Sequence, residues 1–101
     1  MTKDIILNYL KQHKDKLYKK YGIVTLGLYG SYAKGGATIN SDIDIFYERD
    51  KNFVLKSGLE FLALSEKIAK DLGVKKVDLV KLSSMNPIVK HYAKEDFIYV
   101  E

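Results

Sequence analysis

The chain contains no cysteine, one proline (Pro87), one arginine (Arg49) and no long apolar run. Without cysteine there is no disulfide, no thiolate zinc site and no cysteine nucleophile. That absence fits a reducing compartment, and the cytoplasm is the expected location. No apolar stretch approaches the ~18 residues that cross a bilayer, and Met1 is followed by polar and charged residues rather than a signal-peptide core. No membrane association is therefore expected. The shortage of arginine argues against direct nucleic-acid binding, since base edges and phosphates are read chiefly by bidentate guanidinium groups.

What remains is ordinary globular usage: 101 residues, 47% hydrophobic and 30% charged. Residues 1–101 are expected to form one domain, and such a chain buries roughly two-thirds of its unfolded surface. The net charge is +4, carried almost wholly by lysine. Lys11, Lys14, Lys16, Lys19 and Lys20 read as a solvated helix face, and modest basicity favours anionic partners such as nucleotides or an acidic protein.

Ile6, Leu10, His13, Leu17 and Tyr21 recur at helical spacing after a cap at Thr2 or Asp4, and Gly22 is placed to end that helix. Residues 23–29 have the composition of a buried strand. Residues 31–41, small and polar, predict a short helix or turn followed by a loop. From Asp42 to Glu48 the pattern alternates, with Ile43, Ile45 and Tyr47 on one face and Asp42, Asp44 and Phe46 on the other. Ser57 and Glu60 form a capping box for a helix running to about Leu72. A third strand is expected over 74–81, a short helix capped by Asn86 through about Lys94, and a last strand over 97–100. The fold class is α/β (α+β), with helices packed against one mixed sheet. The helix between the second and third strands allows that pair to be parallel, whereas the direction of the first against the second is open.

Two short motifs carry chemistry. Gly30-Ser31 ends a strand and begins a helix, where backbone amides and a hydroxyl can hold a phosphate; the same dipeptide also serves as a plain turn. Asp42-Ile43-Asp44 places two carboxylates ~7 Å apart on one strand face, which suits a divalent cation with oxygen ligands, Mg²⁺ rather than zinc; both could equally face solvent. Asp78 lies in a third apolar strand, where aspartate is disfavoured. Three converging carboxylates would suit phosphoryl transfer through metal ions, and a salt bridge from Asp78 to Lys76 or Lys81 is the alternative.

Taken together, Tyr29-Gly30-Ser31, ten residues, and Asp42-Ile43-Asp44-Ile45 resemble the signature of the DNA polymerase β-like nucleotidyltransferase superfamily. The stretch from Gly30-Ser31-Tyr32-Ala33-Lys34-Gly35 to Ile45 is similar to the minimal nucleotidyltransferases (MNT), small antitoxins paired with HEPN toxins. The resemblance implies that Gly30, Ser31 and Lys34 hold the phosphates of ATP, and that Asp42, Asp44 and Asp78 are catalytic and bind Mg²⁺. It further implies transfer of AMP to a tyrosine hydroxyl of a HEPN-type toxin. A non-catalytic antitoxin that neutralises its partner by contact is the alternative on the same fold. Related sequences often have arginine at the positions of Tyr32 and Lys34; lysine keeps the charge without the fork. The larger relatives bind the acceptor with a further domain, so here that surface is expected from a partner or a second copy of the chain. His13 is expected to pack on the apolar face of its helix, and Tyr99 to be exposed for docking.

Overall fold

Thr2 is extended (φ −128°) and its hydroxyl oxygen accepts a hydrogen bond from the Ile5 amide at 3.3 Å. This cap starts α1, Lys3–Tyr21, in the computed structural model, which describes residues 1–101. Helix α1 buries Ile6, Leu10, Leu17 and Tyr21 and stops at Gly22, as its spacing predicts. His13 is half-buried, stacked on Tyr9 with ring centroids 4.0 Å apart, and Nδ1 lies 2.8 Å from the Tyr9 carbonyl oxygen. It is a packed residue.

Strand β1 (Ile23–Tyr29) leads through α2 (Ser31–Lys34) and a polar loop to β2 (Ile43–Arg49). Helices α3 (Gly58–Leu62) and α4 (Leu64–Leu72) then cross to β3 (Val77–Lys81). A 3-10 turn at Leu82–Ser84 precedes α5 (Pro87–Ala93), a second such turn spans Lys94–Asp96, and β4 (Ile98–Tyr99) closes the chain's path. The sheet order is β3-β2-β1-β4. Strand β1 is antiparallel to β2 and to β4, and β2 is parallel to β3, so the sheet is mixed and the direction left open by the sequence is resolved.

Several boundaries differ from expectation for local reasons. The helix expected over 58–72 is interrupted at Ala63 (φ −86°, ψ −2°). The Ser57 hydroxyl oxygen accepts from the Glu60 amide as expected, but the Glu60 carboxylate pairs with Lys20 at 3.2 Å instead of completing the box. The third strand begins at Val77 rather than Val74, because the Val74 amide donates to the Ala69 carbonyl at 2.9 Å and closes α4. The last strand keeps only Ile98 and Tyr99 of the four residues expected.

The two sheet faces are built differently. Against α1 and α4 lie Leu26, Leu28, Ile43, Ile45, Tyr47 and Val77, all buried. Each fully buried aliphatic chain of this kind contributes about 1.5–3 kcal/mol. The opposite face is aromatic. Phe46 is fully buried, stacked on Phe97 at 4.5 Å and edge-on to Tyr99 at 5.0 Å. Gly27 lets this happen: a Cβ there would run into the Phe46 ring and stand 2.6 Å from the Ile98 carbonyl oxygen. Tyr29 joins the same group, 5.7 Å from Phe97 and 6.2 Å from Phe46.

Candidate functional site

The pairing of β1, β2 and β3 gathers the singled-out residues at one end of the sheet. Tyr29 stands opposite Asp44 across the antiparallel pair, and Asp44 stands opposite Asp78 across the parallel pair. Period-two alternation therefore puts the side chains of Tyr29, Asp44 and Asp78 on the aromatic face. Asp42 lies two residues before Asp44, just ahead of the strand. Its loop is tied by the Thr38 amide donating to Ser41 Oγ at 2.9 Å and the Ser41 amide donating to the Thr38 carbonyl at 3.0 Å.

Gly30 turns the chain from β1 into α2 with φ 78° and ψ −155°, a region that only glycine occupies comfortably. A Cβ at this position would collide with Asp44 Oδ2. The turn and the carboxylate are thus in direct apposition, and Ser31 begins a helix whose first amides have no partner within the helix. Gly30→Ala is expected to lower stability by about 1–3 kcal/mol through backbone strain and to displace the Asp44 carboxylate. A denaturant titration with unchanged midpoint would contradict this geometry.

The electrostatics are those of crowded anions. Burial raises the pKa of Asp44, and the Asp78 and Asp42 carboxylates raise it further; the Lys76 ammonium opposes them without prevailing. Burial, then Asp44 and Asp78, also raises the pKa of the Tyr29 phenol. Lys76 Nζ lies 3.4 Å from Asp78 Oδ1 and 3.9 Å from Asp42 Oδ2. Of the two lysines considered as partners for Asp78, Lys76 is the one that pairs. As they stand, the carboxylates share a field but do not form a ready-made group of three metal ligands. Their chemistry nevertheless fits Mg²⁺: oxygen donors only, with one partly buried carboxylate whose charge is disfavoured by its neighbours. Cation binding relieves that repulsion and strengthens with it.

Lys34 is not at the carboxylates. Its Nζ lies 3.4 Å from Asp96 Oδ2, across from α2 to the turn before β4. This pair links residues 62 positions apart, and no local pattern signals it. Tyr32 is buried and, with Thr38, Ser41, Asp42 and Lys76, lines a cleft of about 680 Å³ beside the carboxylates. Lys76 is the site residue that sequence reading treated only as a structural partner. Its position two residues before Asp78 was the available signal, because such residues share a strand face.

Comparison with known proteins identifies the family. Residues 10–100 match the model of the family described as "Nucleotidyltransferase domain". A Methanocaldococcus jannaschii protein, named provisionally as a protein adenylyltransferase, is 48% identical over 92 residues, covering 90% of each chain. The Thermococcus cleftensis protein adenylyltransferase MntA is 32% identical over 100 residues, 99% of this chain and 97% of that one. Among solved structures, a toxin–antitoxin with AMP-PNP superposes with a TM-score of 0.67 at 25% identity, covering 90% of this chain and 72% of that one. The complex of a tri-AMPylated Shewanella oneidensis HEPN toxin with its MNT antitoxin shares the fold, with a TM-score of 0.61 at 21% identity over 94% of this chain and 71% of that one.

Proposed function

The chain belongs to the nucleotidyltransferase domain family, as a minimal nucleotidyltransferase of the DNA polymerase β-like superfamily, and from that premise we propose that it transfers AMP from ATP to a tyrosine hydroxyl of a HEPN-type toxin, acting as the antitoxin. The observation that carries this reading is the apposition of the Gly30-Ser31 turn with Asp44, with Asp78 in register beside it. A phosphate-holding turn and a set of carboxylates meet at one end of one sheet. In this reading residues 1–101 work as one domain in the cytoplasm.

In this reading each site residue has a role. The Gly30 turn admits the phosphates close to the backbone, and the Ser31 hydroxyl donates to them. Lys34 exchanges Asp96 for a phosphate oxygen. Asp42, Asp44 and Asp78 would hold Mg²⁺, which when bound neutralises phosphate charge and makes the α-phosphorus more electrophilic. Asp78 takes the proton of the attacking phenol. The tyrosine oxygen bonds to the α-phosphorus as the bond to the bridging oxygen breaks and pyrophosphate leaves. Holding both reactants in line supplies much of the acceleration in such transfers.

The test is α-labelled ATP and Mg²⁺ with this chain and its cognate HEPN-type protein. Label on a partner tyrosine is the expected result. A stable complex that silences the toxin without label would leave the chain a non-catalytic antitoxin.

A further inference from the structure

Lys76 is held at a fixed point of the sheet by its backbone. The Ile43 amide donates to the Lys76 carbonyl at 3.5 Å, and Ile43 pairs with Val77 in the parallel register. One step back in that register, Lys76 stands level with Asp42, as Asp78 stands level with Asp44. Alternation gives Lys76 and Asp78 one face of the sheet, and Asp42 and Asp44 the same one. Three acidic side chains and one basic side chain thus form a two-by-two array, and the aromatic group around Phe46 is its floor.

The contacts agree with this placement. Lys76 Nζ lies 3.4 Å from Asp78 Oδ1 and 3.9 Å from Asp42 Oδ2, so one ammonium spans two carboxylates from separate segments. No other lysine or arginine pairs with Asp42, Asp44 or Asp78, and Lys34 is engaged with Asp96. Burial, then Asp78 and Asp42, disfavours the charge of Asp44, and Lys76 is the group that opposes them. Ion pairs as exposed as these add little to stability, so folding does not account for the array. The Lys76 side chain is 62% exposed and can leave without disturbing the core. Its ammonium occupies the oxygens that a divalent cation would use.

We propose that Lys76 is a positioning residue, the resident counter-cation of the carboxylate site: its ammonium holds Asp42 and Asp78 together, and a divalent cation binds by displacing it. The proposal rests on the reading that these carboxylates take Mg²⁺, and it adds the residue that sets how strongly they do so. A positive charge beside a doubly charged ion weakens the binding of that ion. Lysine suits the task, being a single point charge on a flexible stem rather than a planar fork. Once displaced, the ammonium remains in the cleft that Lys76 lines with Tyr32, Ser41 and Asp42, where it attracts an anionic ligand.

The experiment titrates the full chain with Mn²⁺ as a paramagnetic stand-in for Mg²⁺, without nucleotide, and reads free Mn²⁺ by electron paramagnetic resonance. Wild type is compared with Lys76→Met, which removes the charge and brings no oxygen ligand, and with Lys76→Arg, which keeps the charge. Each is also made with Asp44→Asn to locate the ion, and a circular dichroism melt serves as the folding control. Lys76→Met is expected to bind Mn²⁺ about three- to tenfold more tightly than wild type at low salt, with the gap narrowing as salt is added. Lys76→Arg is expected to bind no more tightly than wild type, and Asp44→Asn to weaken binding in every background. Equal or weaker binding by Lys76→Met overturns the proposal and leaves the metal site standing. Tighter binding by Lys76→Arg, matching Lys76→Met, also overturns it, because the side chain's shape rather than its charge would then matter. So does tighter binding that Asp44→Asn does not weaken, since the ion would lie elsewhere. Absence of Mn²⁺ binding in wild type and Lys76→Met alike overturns it together with the metal reading. The predicted order of affinities without label transfer by wild type would sustain the counter-cation and sink the chemistry.

Discussion

Asp44→Asn is expected to abolish AMP transfer while making the folded protein more stable at neutral pH. The substitution removes one oxygen ligand and one negative charge at the point where phosphate and cation would meet. Such a contribution is worth several kcal/mol in the transition state, so the loss is on the order of a thousandfold or more. The stability effect has the opposite sign. Burial, then Asp78 and Asp42, raise the Asp44 pKa in the folded chain. Between the unfolded and the folded value the native state binds the extra proton, so stability falls as pH rises through that window. Above it the charged carboxylate is a standing cost, which asparagine removes. Melting in a chelator should therefore show the variant above wild type at pH 7, with the gap closing as pH falls below the usual carboxylate range near 3.9. Full transfer activity in the variant would overturn the site, and a lower melting temperature at pH 7 would overturn its electrostatics.

Phe46→Ala is expected to cost about 3–5 kcal/mol, the largest single loss of stability predicted for this chain. Phe46 is fully buried, and three other rings, Phe97, Tyr99 and Tyr29, have their centroids 4.5, 5.0 and 6.2 Å away. Its removal leaves a cavity that the Gly27 backbone beside it has no side chain to fill. In a domain of this size that loss lowers the melting temperature by roughly 15–30 °C. Ile88→Ala, on the exposed face of α5, should change stability by no more than about 0.5 kcal/mol. Chemical denaturation of both variants checks the contrast. A cost below about 1 kcal/mol for Phe46→Ala would mean that the aromatic face is not packed as described.

The phase of β2 could be read from the sequence because one strand face is apolar and a one-residue shift would have buried both aspartates. Gly30-Ser31 and Asp42-Ile43-Asp44 were legible as separate motifs, and their direct apposition follows only from the antiparallel pairing of β1 with β2. That direction depends on the loop between Gly35 and Asp42, where turns of similar composition lead either way. The break at Ala63 was illegible, since alanine is the best helix former and nothing nearby marks a stop. Val74 has strand composition, yet its amide is spent on closing α4. Local propensity does not register that competition. The resemblance implies Lys34 as a phosphate-binding cation, and its pairing with Asp96 lies beyond any local window.

The aromatic face also sets an order of events during synthesis. Leu26, Leu28, Ile43 and Ile45 find their helical cover in residues that precede β4 in the chain. Phe46 does not: Phe97 and Tyr99 leave the ribosome roughly fifty residues after it. At about 5–20 residues per second that is an interval of roughly 3–10 seconds, during which a nascent chain holds a large ring with only Tyr29 of its three aromatic neighbours made. The floor beside Asp44 is thus the last part of the domain to be finished. Until the final strand clears the exit tunnel, the growing polypeptide presents a sticky half-built sheet to chaperones.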